Sequence, residues 1–558
     1  MRHTAACLTI LLSLACDGPP VPVDAGQDSG PVDAGPLLPT CEATEAMGTD
    51  LLEPVASTLV ATIVPAERLS TPGPRNPATE EGETMYRAMG LDRVSRGPGL
   101  ERVRRTDLGD RPPSAAARRS IAWFVHYSDF QLADDESPAR VAQLDNPVIG
   151  SGLRAQEAYL PRAISAMNRT LARIERPDRP YDFGIVTGDC ADSGQANELR
   201  WVMEIMNGAP GVHTDSGEDD DPLPGPDNDP KDPFDAAPFP APWLYVPGNH
   251  DVLTVGISLP TEDVQARATG TSPVGGTRDY RRWYAPVTTR SVPADPERRI
   301  LSREEIVAAL LADGSDPGPV GHGFPPDADL THGANYRYDA IDGLLRILAL
   351  DTSDYTGGAE GLVRRSTVDE WLVPELGRAV NDGVLVILAS HHATSSIDVF
   401  RGQIGTEVVP DAVPPDELER IVASYPNVIA WLVGHSHDNR VRAVAGADAA
   451  HPGYWEIMTS AIADYPGQAR LIEIVDNGND TLSIFATLVD FDANDCMERR
   501  YRRLLTMEWA SGWADDTSRD PADLDVELVI PLPESARTAV EHATGFERIE
   551  SETTLRGT

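Results

Sequence analysis

The chain has 558 residues, 41% of them hydrophobic, and a formal net charge of −41 at pH 7. That length allows one large domain with additions or two domains, and the apolar content allows a substantial core, which excludes a chain disordered throughout. The negative charge excludes a general affinity for nucleic acid or anionic membranes, because phosphate binding needs Lys and Arg; Lys231 is the one lysine.

The first residues read as a targeting segment. Arg2 and His3 precede an apolar stretch over 5–15, too short to span a bilayer and fitting a signal-peptide core. It ends in Ser13-Leu14-Ala15-Cys16, which resembles the lipobox of bacterial lipoproteins, with Ser13 where an aliphatic residue is usual. The resemblance implies lipid on Cys16 and a protein exported to the cell envelope or outer surface; ordinary secretion is the alternative. Residues 16–45 are rich in Pro, Gly and Asp and read as a flexible tether. Of the five cysteines, Cys7 leaves with the signal and Cys16 takes lipid. Cys41 and Cys496 are then the candidate disulfide, with Cys190 left over.

Residues 46–118 give mixed signals and read as an N-terminal extension. The main domain, 119–495, opens with a buried-strand pattern over 121–127 that ends in Ser128-Asp129-Phe130-Gln131. An amphipathic stretch over 153–174 predicts a helix. A strand over 183–187 follows, ending in Gly188-Asp189-Cys190-Ala191-Asp192, and then a helix over 196–206. Strand, helix, strand, helix points to α/β architecture with parallel pairing. Residues 208–242 form an insertion dense in Asp, Pro and Gly. Its run from Asp215 to Asp221 could hold calcium by its carboxylates, but it lacks the ordered ligand spacing and closing glutamate of an EF-hand loop and reads as a solvated acidic surface loop.

The apolar run 243–246 stops at Pro247-Gly248-Asn249-His250-Asp251, a strand ending in a tight turn. A second insertion, 252–332, follows. Strands over 344–350, 384–389 and 428–433 end in Asp351-Thr352, in Ser390-His391-His392 and in Gly434-His435-Ser436-His437. Stretches 454–459, 469–475 and 481–487 read as antiparallel strands, and 496–558 as a charged C-terminal tail.

Strand ends thus carry Asp129 and Gln131, then Asp189, Asn249 and His250, His391, and His435 and His437. Carboxylates, imidazoles and an amide oxygen make a ligand set for borderline divalent metals. Their number exceeds what one ion needs and suits a pair sharing a carboxylate, which can clamp both oxygens of an in-line displacement.

In this order, Asp-x-Gln, Gly-Asp-x-x-Asp, Gly-Asn-His-Asp, a strand-end His and Gly-His-x-His resemble the calcineurin-like metallophosphoesterases over residues 121–490. The resemblance implies an α/β four-layer sandwich, two mixed sheets flanked by helices. It implies a hydrolase of small phosphoesters, with two divalent ions (Mn, Fe, Zn or Mg) and a water they activate. It makes Asp189 the bridging ligand, Asp129 and His437 ligands of one ion, and Asn249, His391 and His435 of the other. His250 would stabilise the phosphate or protonate the leaving oxygen, with Asp251 orienting it. Gln131 stands where the family commonly has His, either as a weaker oxygen ligand or on a bound water. That departure supports one alternative, an inactive metal-binding surface lipoprotein of the same fold. His392, Asp192, Asp351, His126 and Cys190 read as packing or supporting residues.

Overall fold

The computed structural model describes residues 54–109, 118–144, 154–281, 286–314, 316–402 and 407–556. The signal segment, the tether and Cys41 lie outside the described residues. Thirteen strands form the two main sheets. In chain order they are β1 (Val103–Arg105), β2 (Arg119–Tyr127), β3 (Phe183–Val186), β4 (Trp243–Tyr245), β5 (Tyr336–Ile341), β6 (Leu345–Ala349) and β7 (Leu385–Ala389). The remainder are β8 (Val428–Val433), β9 (Arg440–Asp448), β10 (His451–Met458), β11 (Gln468–Asp476), β12 (Thr481–Asp490) and β13 (Val526–Pro531). One sheet is seven-stranded, in the order β1-β13-β12-β11-β2-β3-β4, and the other six-stranded, β9-β10-β8-β7-β6-β5. Each is mixed: β2, β3 and β4 run parallel, as do β6, β7, β8 and β10, with antiparallel strands at the flanks.

The central strands are apolar throughout because both faces of each sheet are covered. Ile347, Ile387 and Ile429 turn inward and join one core with Phe124, Ile185 and Leu471 of the other sheet. Their chain neighbours Leu348, Val386 and Leu388 point outward, since successive side chains alternate faces. They meet Leu376 of helix α3 (Val373–Asp382) and Leu418 and Val422 of α4 (Pro415–Ala423). On the far side, α1 (Leu160–Ile174) and α2 (Ala196–Met206) contribute Ile164, Met167, Leu199 and Val202 to the main core. The result is the α/β four-layer sandwich of two mixed sheets flanked by helices.

Three segments differ from the sequence reading. The stretch expected as a strand over 454–459 is β10, which pairs parallel with β8 instead of antiparallel with the strand that follows it. Its antiparallel partner is β9, whose exposed, charged positions mask its strand character. The C-terminal segment is part of the fold: β13 pairs with β12 and β1. Ahead of it, helix α5 (Cys496–Ala510) is buried and its Arg500 pairs with Glu83 of the N-terminal segment at 2.9 Å. Cys496 is disulfide-bonded, and its partner lies outside the described residues.

Register decides where the chemistry goes. Tyr127 pairs with Val186, and Val186 with Tyr245, so the carboxyl ends of β2, β3 and β4 open side by side. The ends of β7 and β8 are also aligned, with Ala389 opposite Leu432. Both sets meet at one rim, where Gly434 N donates to His391 O and Ala463 N to Asp129 O. Among the described residues no helix is long and apolar enough to cross a membrane.

Candidate metal centre

Backbone conformation sets this rim apart. Asp129, Gln131, Asp189, His435 and His437 all have positive φ, between 43° and 74°. For residues with a Cβ this is an uncommon, strained conformation, and such strain collects at functional sites. It turns each strand end sharply, so that side chains from separate strands converge. Two glycines permit the approach. A Cβ on Gly248 would stand 2.1 Å from Asp189 Oδ1, and one on Gly434 2.6 Å from Asp129 Oδ2.

The convergence is tight. Asp129, Asp189 and His391 are buried and offer donor atoms within 4.8 Å of one another, and His391, His392 and His435 do the same. His391 Nε2 is 3.1 Å from Asp189 Oδ2. His435 Nδ1 is 3.3 Å from His391 Nε2. His437 Nε2 is 3.3 Å from Asp129 Oδ1.

Two oxygens are orphaned. Asp129 Oδ2 accepts from Ser128 Oγ and His435 N, whereas its buried Oδ1 makes no well-directed hydrogen bond and only faces His437 Nε2 at 3.3 Å. Asn249 Nδ2 donates to Gly256 O at 2.9 Å, which turns Oδ1 the other way, and that buried oxygen also has no partner. Buried oxygens without donors are costly in a protein interior. His391 Nδ1 lies 2.7 Å from Thr187 O; a carbonyl only accepts, so Nδ1 holds a proton and Nε2 is the nitrogen that faces the rim, where a cation would take the place of its proton.

The charges point the same way. Burial lowers the basicity of His391, yet Asp189 and Asp129 outweigh it and raise the ring to about 9. Burial likewise acts on His437, and Asp129 and Asp464 raise it to about 10. His435 goes to about 3, through burial and repulsion by His391. Against burial, His391 and His250 hold Asp189 well below the usual carboxylate range. These carboxylates call for positive charge beside them, which protons meet here and divalent ions would meet equally.

Two predicted site residues do something else. The oxygen of Gln131 accepts from Arg154 Nη2 at 2.5 Å, and its amide donates to Asp189 Oδ2 at 3.2 Å. Arginine only donates, so the oxygen expected as a ligand is committed to Arg154. Asp251 does not orient His250. Its carboxylate accepts from the backbone N–H of Asp189 (2.8 Å), Gly248 (2.8 Å) and Ala191 (3.0 Å). Adjacent side chains on the helical turn Asn249–Val252 diverge, and the ring of His250 is instead held by Asp192 O, 2.6 Å from Nδ1. His250 N donates to Asp189 Oδ1 at 2.8 Å.

Other residues behave as support. His392 lies between Thr352 Oγ1 and Ala359 O. His126 joins the sheets through Thr187 and Thr459. Asp351 braces Ala334, Ser353 and Tyr355. Cys190 is buried, which pushes its thiol up and leaves it inert.

Sequence reading missed Arg154 and Asp464. Asp464 pairs with Arg154 Nε at 2.6 Å and with His437 Nδ1. Neither belongs to a motif, and only the fold brings them together.

The family model for calcineurin-like phosphoesterases matches residues 123–439. The chain belongs to that family and is a phosphoester hydrolase whose cofactor is a pair of divalent metal ions. No curated protein matches it. Among solved structures, a dimetal phosphatase from Danio rerio is similar at 11% identity and a TM-score of 0.34, over 67% of this chain and 99% of that one. A purple acid phosphatase from yellow lupin seeds is similar at 10% identity and a TM-score of 0.32, over 80% of this chain and 57% of that one. The donor set fits the ions: buried oxygens without a hydrogen bond on Asp129 and Asn249, the carboxylate of Asp189, and imidazole nitrogens of His391, His435 and His437.

Proposed function

We propose that this chain is an exported hydrolase of small phosphoesters, with Asp189 shared between two metal sites. Asp129 and His437 would hold one ion, and Asn249, His391 and His435 the other. The observation that carries this assignment is the pair of buried oxygens without a hydrogen bond on Asp129 and Asn249, which follow β2 and β4, the strands flanking the β3 strand that leads to Asp189. When bound, the ions supply Lewis-acid charge and lower the pKa of a water. His250 keeps Nδ1 on Asp192 O, so Nε2 is the nitrogen that can meet a phosphate oxygen or hand a proton to the departing alkoxide. Asp251 fixes the backbone of the Asp189 turn, and Arg154 with Gln131 fixes the Asp189 and His437 side chains; none of the three touches the ester in this reading.

The N-terminal pattern ending at Cys16 supports export with a lipid anchor there, and the strong negative charge disfavours polyanionic substrates. Hydrolysis of an aryl phosphate monoester and a bis-aryl diester by the metal-loaded chain tests the reading. Turnover that Asp189→Ala abolishes is expected, and the ratio of the two rates assigns the ester class. Two bound metals with no turnover of either ester would instead leave a metal-binding surface protein. Mass analysis of the mature N-terminus tests the anchor, since a diacylglyceryl adduct on Cys16 is expected and an unmodified chain contradicts it.

A further inference from the structure

The segment expected as a solvated acidic loop is partly buried. Asp215 and Asp220 are 6% and 5% exposed, and they pack against Glu136, 4% exposed, in the turn that follows Gln131. Donor oxygens of these three residues lie within 4.8 Å of one another. Asp134 and Asp135 are buried beside them.

Two cations enter the cluster, and neither hydrogen-bonds Asp215 or Asp220. Arg298 Nε is 2.8 Å from Asp134 and its Nη2 is 3.2 Å from Glu136 Oε2. Lys231 Nζ is 2.6 Å from Asp135 Oδ1. Five buried carboxylates share these two cations. Asp220 is left with neither oxygen hydrogen-bonded, although both are buried, and Asp215 Oδ1 and Asp135 Oδ2 are orphaned too. Asp220 N donates to Asp215 Oδ2 at 3.1 Å, which ties the two carboxylates together without neutralising either.

Burying unpaired carboxylates is prohibitive unless they take protons or a cation. Burial, followed by the neighbouring charges, pushes Asp220 up to about 7 and Glu136 up to about 9. An all-oxygen donor set with several carboxylates suits a hard divalent ion of flexible coordination, calcium above all. We propose that Glu136, Asp215 and Asp220 form a calcium site separate from the catalytic rim. Its ligands come from the segment after Gln131 and from the first insertion, and Arg298 of the second insertion pairs with one of them. Calcium there fastens both insertions to the strand end that carries Asp129.

The test is equilibrium binding of radioactive calcium to the full chain with its catalytic metals in place, in excess magnesium. Wild type and Asp189→Asn are expected to bind one calcium per chain, and Asp215→Asn and Asp220→Asn to bind it at least ~10-fold more weakly. The same stoichiometry and affinity in Asp220→Asn, or no calcium on wild type, would overturn the proposal. Thermal unfolding is the second measurement and needs only wild type. A Tm raised by calcium chloride and not by magnesium chloride is expected, because an ion that binds only the folded state stabilises it. An unmoved Tm would mean that the cluster is held by protons.

Discussion

His437 and Asp464 form a pair that orients the ring: Nδ1 meets the Asp464 carboxylate while Nε2 stands 3.3 Å from Asp129 Oδ1. Such a carboxylate behind an imidazole fixes its tautomer and raises its basicity as a ligand. Asp464→Asn is therefore expected to weaken binding of the ion at Asp129 and His437 by about 10–100-fold. Metal titration followed by calorimetry measures this. An unchanged affinity would show that His437 needs no such partner.

Gln131 lies between Arg154 and Asp189. Gln131→Ala leaves the amide-bonded oxygen of Asp189 and one guanidinium nitrogen of buried Arg154 short of a partner. The expected cost is about 1–3 kcal/mol of stability, with two metals per chain retained. Denaturant unfolding and elemental analysis read both quantities. Loss of one metal at unchanged stability would return Gln131 to the ligand set.

His250 and its neighbour Asp251 separate chemistry from scaffold. His250→Ala is expected to lower kcat by about 10²–10⁴-fold with metal content intact, the range for removing a positioned acid or electrostatic group. Asp251→Ala should instead destabilise the fold, because three buried N–H groups lose their acceptor. Steady-state kinetics with parallel thermal melts distinguishes the two. A stable Asp251→Ala enzyme with a His250-like kinetic defect would contradict the division.

Much of this site was legible because parallel strands announce themselves. Runs such as Leu385–Ala389 and Val428–Val433 are apolar throughout and stop at polar residues, so the strand ends that carry His391, His435 and His437 can be located from the sequence. Supporting contacts were not legible. Arg154 and Asp464 are 310 residues apart in sequence, and nothing local marks either. The hydrogen-bond partners of Gln131 and Asp251 are hidden for a related reason. Both residue types suit ligation or catalysis, but geometry commits them to Arg154 and to backbone N–H groups. The parallel pairing of β10 was hidden as well, since strand pattern carries no direction. The acidic insertion misled in the opposite sense, because composition predicts solvation and only tertiary packing buries Asp215 and Asp220.

The buried cluster also gives a pH signature. Asp220 faces Asp135, Asp215, Asp219 and Glu136, with Lys231 as the nearby cation. Burial first, then Asp135, Asp215 and Asp219, raise its pKa from the ordinary 3.8 to about 7 against the opposing charge of Lys231. A carboxyl raised in the folded state contributes stability that is fully present below its unfolded pKa and lost as pH rises through the folded value. In chelator, wild type should therefore lose Tm relative to Asp220→Asn between about pH 4 and pH 7. Saturating calcium should remove that loss, because the ion favours the ionised carboxylates. Parallel Tm curves for the two proteins in chelator would contradict the assignment.

The most direct test of the central claim is turnover of an aryl phosphate ester as metal is added back, one equivalent at a time, to the fully stripped chain. Additions are made in excess calcium, so that the acidic cluster does not compete for the titrant. The account predicts that activity appears chiefly with the second equivalent and saturates at two, and that Asp189→Ala stays inactive throughout. Full activity at a single equivalent, or turnover that survives in Asp189→Ala, would contradict a paired-ion centre built on Asp189.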